Sequence, residues 1–188
     1  MKPPLRGSNM PDEVAAVGPL TVVDQAMIAV LASELNRLAV RYWLMGGWAV
    51  DGHLGRVTRA HSDIDFAVYL DDRPSFLAAV AAQGYTPTPG AEPTGELFAG
   101  GPRPLEVTYL VATPGGEVVT PGFEHWPYLA GSFADERIDI AGVPVPIMSI
   151  EGLLDTKENW QHHIGEPPRP HDIADIDALR QSRPNAPV

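Results

Sequence analysis

Gly46-Gly-Trp-Ala-Val-Asp-Gly-His-Leu-Gly-Arg-Val-Thr-Arg-Ala-His-Ser-Asp-Ile-Asp65 is the stretch on which the reading of this chain turns. Before it, Arg41-Tyr-Trp-Leu-Met45 reads as a short strand that Gly46-Gly47 ends. Trp48 to Leu54 has helical character and stops at Gly55, a residue suited to the left-handed position after a helix. A strand that passes through two glycines into a helix bares N–H groups at a positive helix end, where phosphates bind readily. Two glycines alone also make a plain tight turn. After the stretch, Ile64-Asp-Phe-Ala-Val-Tyr-Leu70 reads as a strand. Asp63 and Asp65 stand at i and i+2, so their carboxylates project from one face. Such a pair repels unless a cation lies between. A hard divalent ion answers this, and magnesium typically takes one or two carboxylates plus substrate phosphates. An acidic pair by itself is equally well a solvated strand end. The glycine turn before it, with Arg56, Arg59 and His61 between, shifts the balance to a metal–triphosphate site, although Arg56 and Arg59 also read as surface charges.

Working outward, residues 1–20 mix Pro, Gly and charge without periodicity and read as a mobile tail. Thr21 is the expected N-cap of a first helix, with Asp24 at its third position and Met27, Ile28, Leu31, Leu35 and Leu38 at helical spacing. Pro74 to Gln83 reads as a helix that Gly84 follows. A short strand is expected near Glu96-Leu-Phe98 and a second confident one at Leu105-Glu-Val-Thr-Tyr-Leu-Val111. Arg137 to Ile140 and Val143 to Met148 form a hairpin across Ala141-Gly142. Ser149 opens a helix that runs to His162, with half a capping box because Gly152 replaces the usual acid. Glu166-Pro-Pro-Arg-Pro170 breaks it, and His171 to Gln181 is the last helix. The expected division is a tail over 1–20, a core over 21–148 and C-terminal helices over 149–182.

The 188 residues suffice for one hydrophobic core with a small helical appendage. With 44% hydrophobic and 20% charged residues the chain is ordinary globular material. The absence of cysteine removes disulfides, zinc–thiolate sites and thiol nucleophiles, and fits a cytoplasmic protein. No apolar run is long enough for a membrane span, and no secretory pattern opens the sequence. Thirteen Lys plus Arg against 24 Asp plus Glu leave a net charge of −11. That charge repels nucleic acid and suits a cationic small molecule. No P-loop, G-x-S-x-G elbow, dinucleotide G-x-G-x-x-G or HExxH is present. The adjacent His162 and His163 cannot chelate a metal from one helix face. Nothing in the sequence sets an oligomeric state.

Gly46-Gly-Trp-Ala-Val-Asp51, Gly55-Arg56, Thr58-Arg59, His61 and Asp63-Ile-Asp65 together resemble the nucleotidyltransferase fold. More narrowly, they resemble the small antibiotic nucleotidyltransferases that modify aminoglycosides or lincosamides, in which GGW replaces the more widespread glycine-serine. The resemblance implies an α+β fold, a mixed β-sheet of about five strands flanked by helices, with C-terminal helices beside it. It also implies a third acid on a neighbouring strand. Leu105-Glu-Val-Thr-Tyr109 fits, and makes Glu106 that residue, where the family usually carries Asp; Glu96 is the substitute.

The implied activity is transfer of a nucleoside monophosphate, AMP from ATP or another nucleoside triphosphate, to a hydroxyl of a small molecule, with pyrophosphate leaving. Mg2+ or Mn2+ on Asp63, Asp65 and Glu106 would serve that reaction, with Glu106 as ligand, base or both. Gly46, Gly47, Trp48, Arg56, Arg59 and His61 would hold the nucleotide. Lys157 either reaches a phosphate or stands exposed on its helix. Arg169-Pro-His-Asp172 resembles an Arg-Pro-Lys-Asp stretch of the family, with His171 in place of Lys, and Asp172 reads most simply as a helix cap. Glu96, Trp126, Tyr128 and Glu136 are acceptor contacts in the variable middle, and Trp126 reads equally as core. Two rival readings are a catalytically degenerate module that binds a nucleotide or small molecule, and an enzyme that nucleotidylates a protein. A metal-dependent glycosyltransferase also uses an acidic pair, but does not need the glycine turn and arginines before it.

Overall fold

The computed structural model describes residues 19–89 and 94–182. The mobile tail expected over 1–20 thus lies mostly outside the described residues. The first helix, α1, spans Pro19–Arg37 and takes in Thr21, which is therefore not its N-cap. Proline is tolerated in a first turn because no N–H is needed there. Asp24 is buried and ion-paired with Arg103 at 3.1 Å rather than serving the helix start.

Among the described residues, six of eight strands form one sheet. They are β1 (Tyr42–Leu44), β2 (Ile64–Tyr69), β3 (Thr86–Thr88), β4 (Gly95–Ala99), β5 (Leu105–Ala112) and β6 (Val118–Val119). The order is β1-β2-β5-β4-β3, with β6 added to β5. Within this sheet β2 and β5 run parallel, and the other described strand pairs are antiparallel. The α+β class and the mixed sheet are as expected from the resemblance. β3 was not anticipated, since Thr-Pro-Thr lacks the apolar alternation that marks a strand. The expected hairpin is present as β7 (Arg137–Ile140) and β8 (Val143–Pro146), turning at Ala141-Gly142, both with positive φ.

Helix α2 spans Gly46–Leu54 and begins at the first glycine, not at Trp48. It ends at Gly55 in the left-handed conformation (φ 64°). Helix α3 is Arg73–Ala82, entered through a single 3-10 turn at Leu70–Asp72. The helix expected from Ser149 to His162 is two: α4 (Ile150–Glu158) and α5 (Trp160–Ile164), separated by Asn159 at φ −92°, ψ 0°. Ser149 caps α4 by accepting from the Gly152 N–H at 3.2 Å. Helix α6 is Pro170–Ser182.

One core joins α1 and α3 to the sheet through Ile28, Leu31, Leu35, Phe66, Phe76, Phe98 and Val107. On β2 these inward residues alternate with Asp65 and Ala67, so the acids are left on the other face. A second cluster of Ala49, Val50, Met148, Leu153, Leu154 and Leu179 packs α2, α4 and α6 together. That packing brings the C-terminal helices beside the glycine turn.

Candidate active site

Parallel pairing of β2 with β5 sets Asp65 opposite Glu106. Cross-strand partners share a face, and Asp63 lies two residues before Asp65, so three carboxylates are gathered at one end of the parallel pair. Their mutual effect is visible in their acidities. Burial, then the charges of Asp63 and Glu106, push Asp65 well above the usual carboxylate range, while Lys157 and Arg169 pull against this. Burial and the charge of Asp63 push Glu106 up to about 7, again opposed by Arg169. Carboxylates held in this state lower their free energy by sharing a cation, and their oxygens are the hard donors that Mg2+ or Mn2+ accepts. Among the described residues no three His, Cys, Asp or Glu side chains are closed into a ready metal cage. The oxygen donors of Asp63, Asp65 and Glu106 are of the type with which magnesium takes one or two carboxylates plus substrate phosphates.

The start of α2 lies against these acids. Gly46 has φ 61°, and a Cβ there would overlap the Asp65 carboxylate. A Cβ on Gly47 would overlap the His61 ring and stand 2.6 Å from Arg59 Nη2. The two glycines are therefore required by conformation at the first and by close approach at both. Met45 precedes the helix without a side-chain cap, so the N–H groups of Gly46, Gly47 and Trp48 have no capping acceptor.

The remaining nucleotide-site candidates separate. His61 is buried beside Trp48, with ring centroids 4.7 Å apart, and its Nε2 lies 2.6 Å from Asp51 Oδ2. Arg59 is not a free surface charge: it pairs with buried Asp175 at 3.2 Å. Arg56 is exposed after the C-terminal end of α2, beside a cavity of about 180 Å³ that Trp48, Asp51 and Asp139 also line. Lys157 is neither exposed nor free, for its amine lies 2.8 Å from Asp172 and 3.0 Å from Asp175. Asp172 is not a helix cap; it is buried, and Arg169 also binds it at 2.7 Å. Burial works to raise the Asp172 pKa, but the hydrogen bonds and charges of Arg169 and Lys157 hold it well below the usual range.

The acceptor candidates do not converge. Glu96 pairs across the sheet with Val107, so it points to the face opposite Glu106. It is buried there with Arg73 at 2.6 Å and the Tyr109 hydroxyl, which rules it out as the substitute third acid. Tyr128 directs its hydroxyl to Thr120 Oγ1 at 3.1 Å and packs on Phe133. Glu136 is exposed, 3.7 Å from His53 near the far end of α2, roughly two turns from Gly46. Trp126 is half-buried and stacked on His163, with centroids 4.2 Å apart. The imidazole of His163 is thus part of an aromatic stack. Arg169, which acts on all three carboxylates, was not among the sequence candidates. Its signal was the Arg-Pro stretch before α6, which in sequence lies 104 residues from Asp65.

Architecture and site geometry together define a nucleotidyltransferase fold. A crystal structure of ANT(2'')-Ia in complex with adenylyl-2''-tobramycin superposes with a TM-score of 0.70 over 85% of this chain and 89% of that one, at 23% identity. The lincosamide antibiotic adenylyltransferase LnuA, lincomycin-bound, does so with 0.66 over 87% and 97%, at 19% identity. In sequence, a 2''-aminoglycoside nucleotidyltransferase of Klebsiella pneumoniae is 40% identical over 65 residues, 35% of this chain. The matched stretch spans about a third (34%) of that curated relative. The aminoglycoside-2''-adenylyltransferase family model matches residues 27–179. The chain belongs to that family.

Proposed function

We propose that this protein transfers a nucleoside monophosphate, AMP from ATP, to a hydroxyl of an aminoglycoside or lincosamide antibiotic and releases pyrophosphate. The observation that carries this reading is the set Asp63, Asp65 and Glu106 on the parallel strand pair, facing the uncapped start of α2. The N–H groups of Gly46, Gly47 and Trp48 would receive the distal phosphates, and Arg59, Lys157 and Arg169 would offset their charge. Asp63, Asp65 and Glu106 would hold Mg2+ or Mn2+, which when bound neutralises the phosphates and the oxygens on which charge develops. The acceptor oxygen attacks the α-phosphorus in line, the bond to the β-phosphate oxygen breaks, and pyrophosphate departs. Glu106 takes the proton of the attacking hydroxyl. The family's name and the antibiotics bound in ANT(2'')-Ia and LnuA support the acceptor class.

The test is pyrophosphate release across a panel of aminoglycosides, lincosamides and nucleoside triphosphates, with Asp63→Ala as control. Release with one acceptor, lost in Asp63→Ala together with metal-dependent nucleotide binding, is the expected result. Nucleotide binding without release under every acceptor would instead identify a binding module, and label appearing on protein would identify a protein nucleotidyltransferase.

A further inference from the structure

Asp51 lies one turn after Gly47, on the same face of α2. It is 4% exposed, and a carboxylate so placed persists only with partners. The side-chain partners come from the segment that follows the helix. Oδ1 accepts from the Thr58 N–H at 3.0 Å and from its hydroxyl at 2.5 Å. Oδ2 lies 2.6 Å from His61 Nε2. A carboxylate only accepts, so Nε2 carries a proton and Nδ1 is the ring atom turned to Gly47. Arg59 Nη2 reaches the same spot, and Trp48 closes the other side of the imidazole. This one carboxylate therefore fastens to α2 the segment that carries both Arg59 and His61.

We propose that Asp51 is a positioning residue for the nucleotide site: it sets the tautomer and orientation of His61, aims Nδ1 at the first turn of α2, and holds Arg59 beside it. The proposal rests on the reading of that turn as the phosphate site. Asp51→Asn is the discriminating variant. Its amide oxygen still accepts from Thr58, while its amide N–H faces His61 Nε2, which must now accept, and the ring proton moves to Nδ1. A role confined to packing would not depend on this inversion.

Nitrogen-15 NMR of the metal-free protein, with His61 assigned by its loss in His61→Gln, should show Nε2–H in the wild type and Nδ1–H in Asp51→Asn. Nucleotide affinity and turnover should fall about 10- to 100-fold, the range usual when a supporting partner is removed. Adding His61→Ala to Asp51→Asn should cost nothing beyond His61→Ala alone, because the two act as one unit. Wild-type affinity and turnover in Asp51→Asn, or losses that multiply in the double variant, overturn the proposal. If Asp51→Asn does not fold, the wild type decides: the Nδ1 resonance must move when magnesium and α,β-methylene ATP bind, and a fixed resonance with calorimetrically proven binding refutes it. A wild type that binds no nucleotide removes the functional reading as well, which distinguishes the two failures.

Discussion

Glu106 and Asp172 show how one residue type, the carboxylic acid, responds oppositely to two settings. An ordinary Glu in the unfolded chain releases its proton near 4.5, whereas folded Glu106 retains it to about 7. Between these values the folded chain binds more protons, so its contribution to stability falls as pH rises. Glu106→Gln should therefore gain stability relative to the metal-free wild type as pH is raised through that window, read as urea midpoints below and above it. Asp172, held below the usual range by Arg169 and Lys157, contributes its full stability above that range and loses it progressively as pH falls from there through the folded value. At Gly46, alanine would meet both a left-handed backbone, costing about 1–2 kcal/mol, and the Asp65 carboxylate. Gly46→Ala is expected to abolish metal-dependent nucleotide binding in calorimetry while circular dichroism keeps the helix signal. The glycines and the acidic pair were legible because backbone freedom and strand alternation are local properties, and Glu106 was legible through the family resemblance. The fates of Lys157 and Arg59 were not, because their partners Asp172 and Asp175 lie on a helix that only packing brings near.

At the scale of elements, α6 is tied to α4 by Lys157 and to the segment after α2 by Arg59. Asp172 and Asp175, each 3% exposed, are the acids of this network. Lys157→Ala leaves Asp172 with Arg169 and Asp175 with Arg59 but removes their shared amine, and should cost about 1.5–3 kcal/mol, measured by urea unfolding, the range for hydrogen bonds to charged groups. The strands β2 and β5 could be read from their alternation, and α4 from its Ser149 cap. The break at Asn159 could not, because Trp160 to Ile164 continues as a helix of its own and gives no proline or glycine as a stop signal. Pairing is no local property either, and only the resemblance pointed to it. That β2 and β5 are adjacent and parallel, with Asp65 opposite Glu106, depends on the crossover through α3, β3 and β4.

Over the whole molecule, the net charge of −11 acts as a field rather than a site. A polycationic acceptor should accordingly show a KM that rises with salt once the screening length falls to about 10 Å near 0.1 M, while that of an uncharged acceptor stays level. Steady-state kinetics at several ionic strengths measure this. No helix of the described residues is long and apolar enough to cross a membrane. The sequence by itself determined the glycine turn and the acidic pair, which follow from local conformation and spacing, while the fold class and the third acid followed from the family resemblance that those residues carry. Only the tertiary structure decided which charges reach those acids. It brought Arg169 to them, committed Lys157 and Arg59 to α6, turned Glu96 to the other face and closed Asp51 on His61. Those outcomes depend on contacts between segments far apart in the chain, and on burial, which no local pattern encodes.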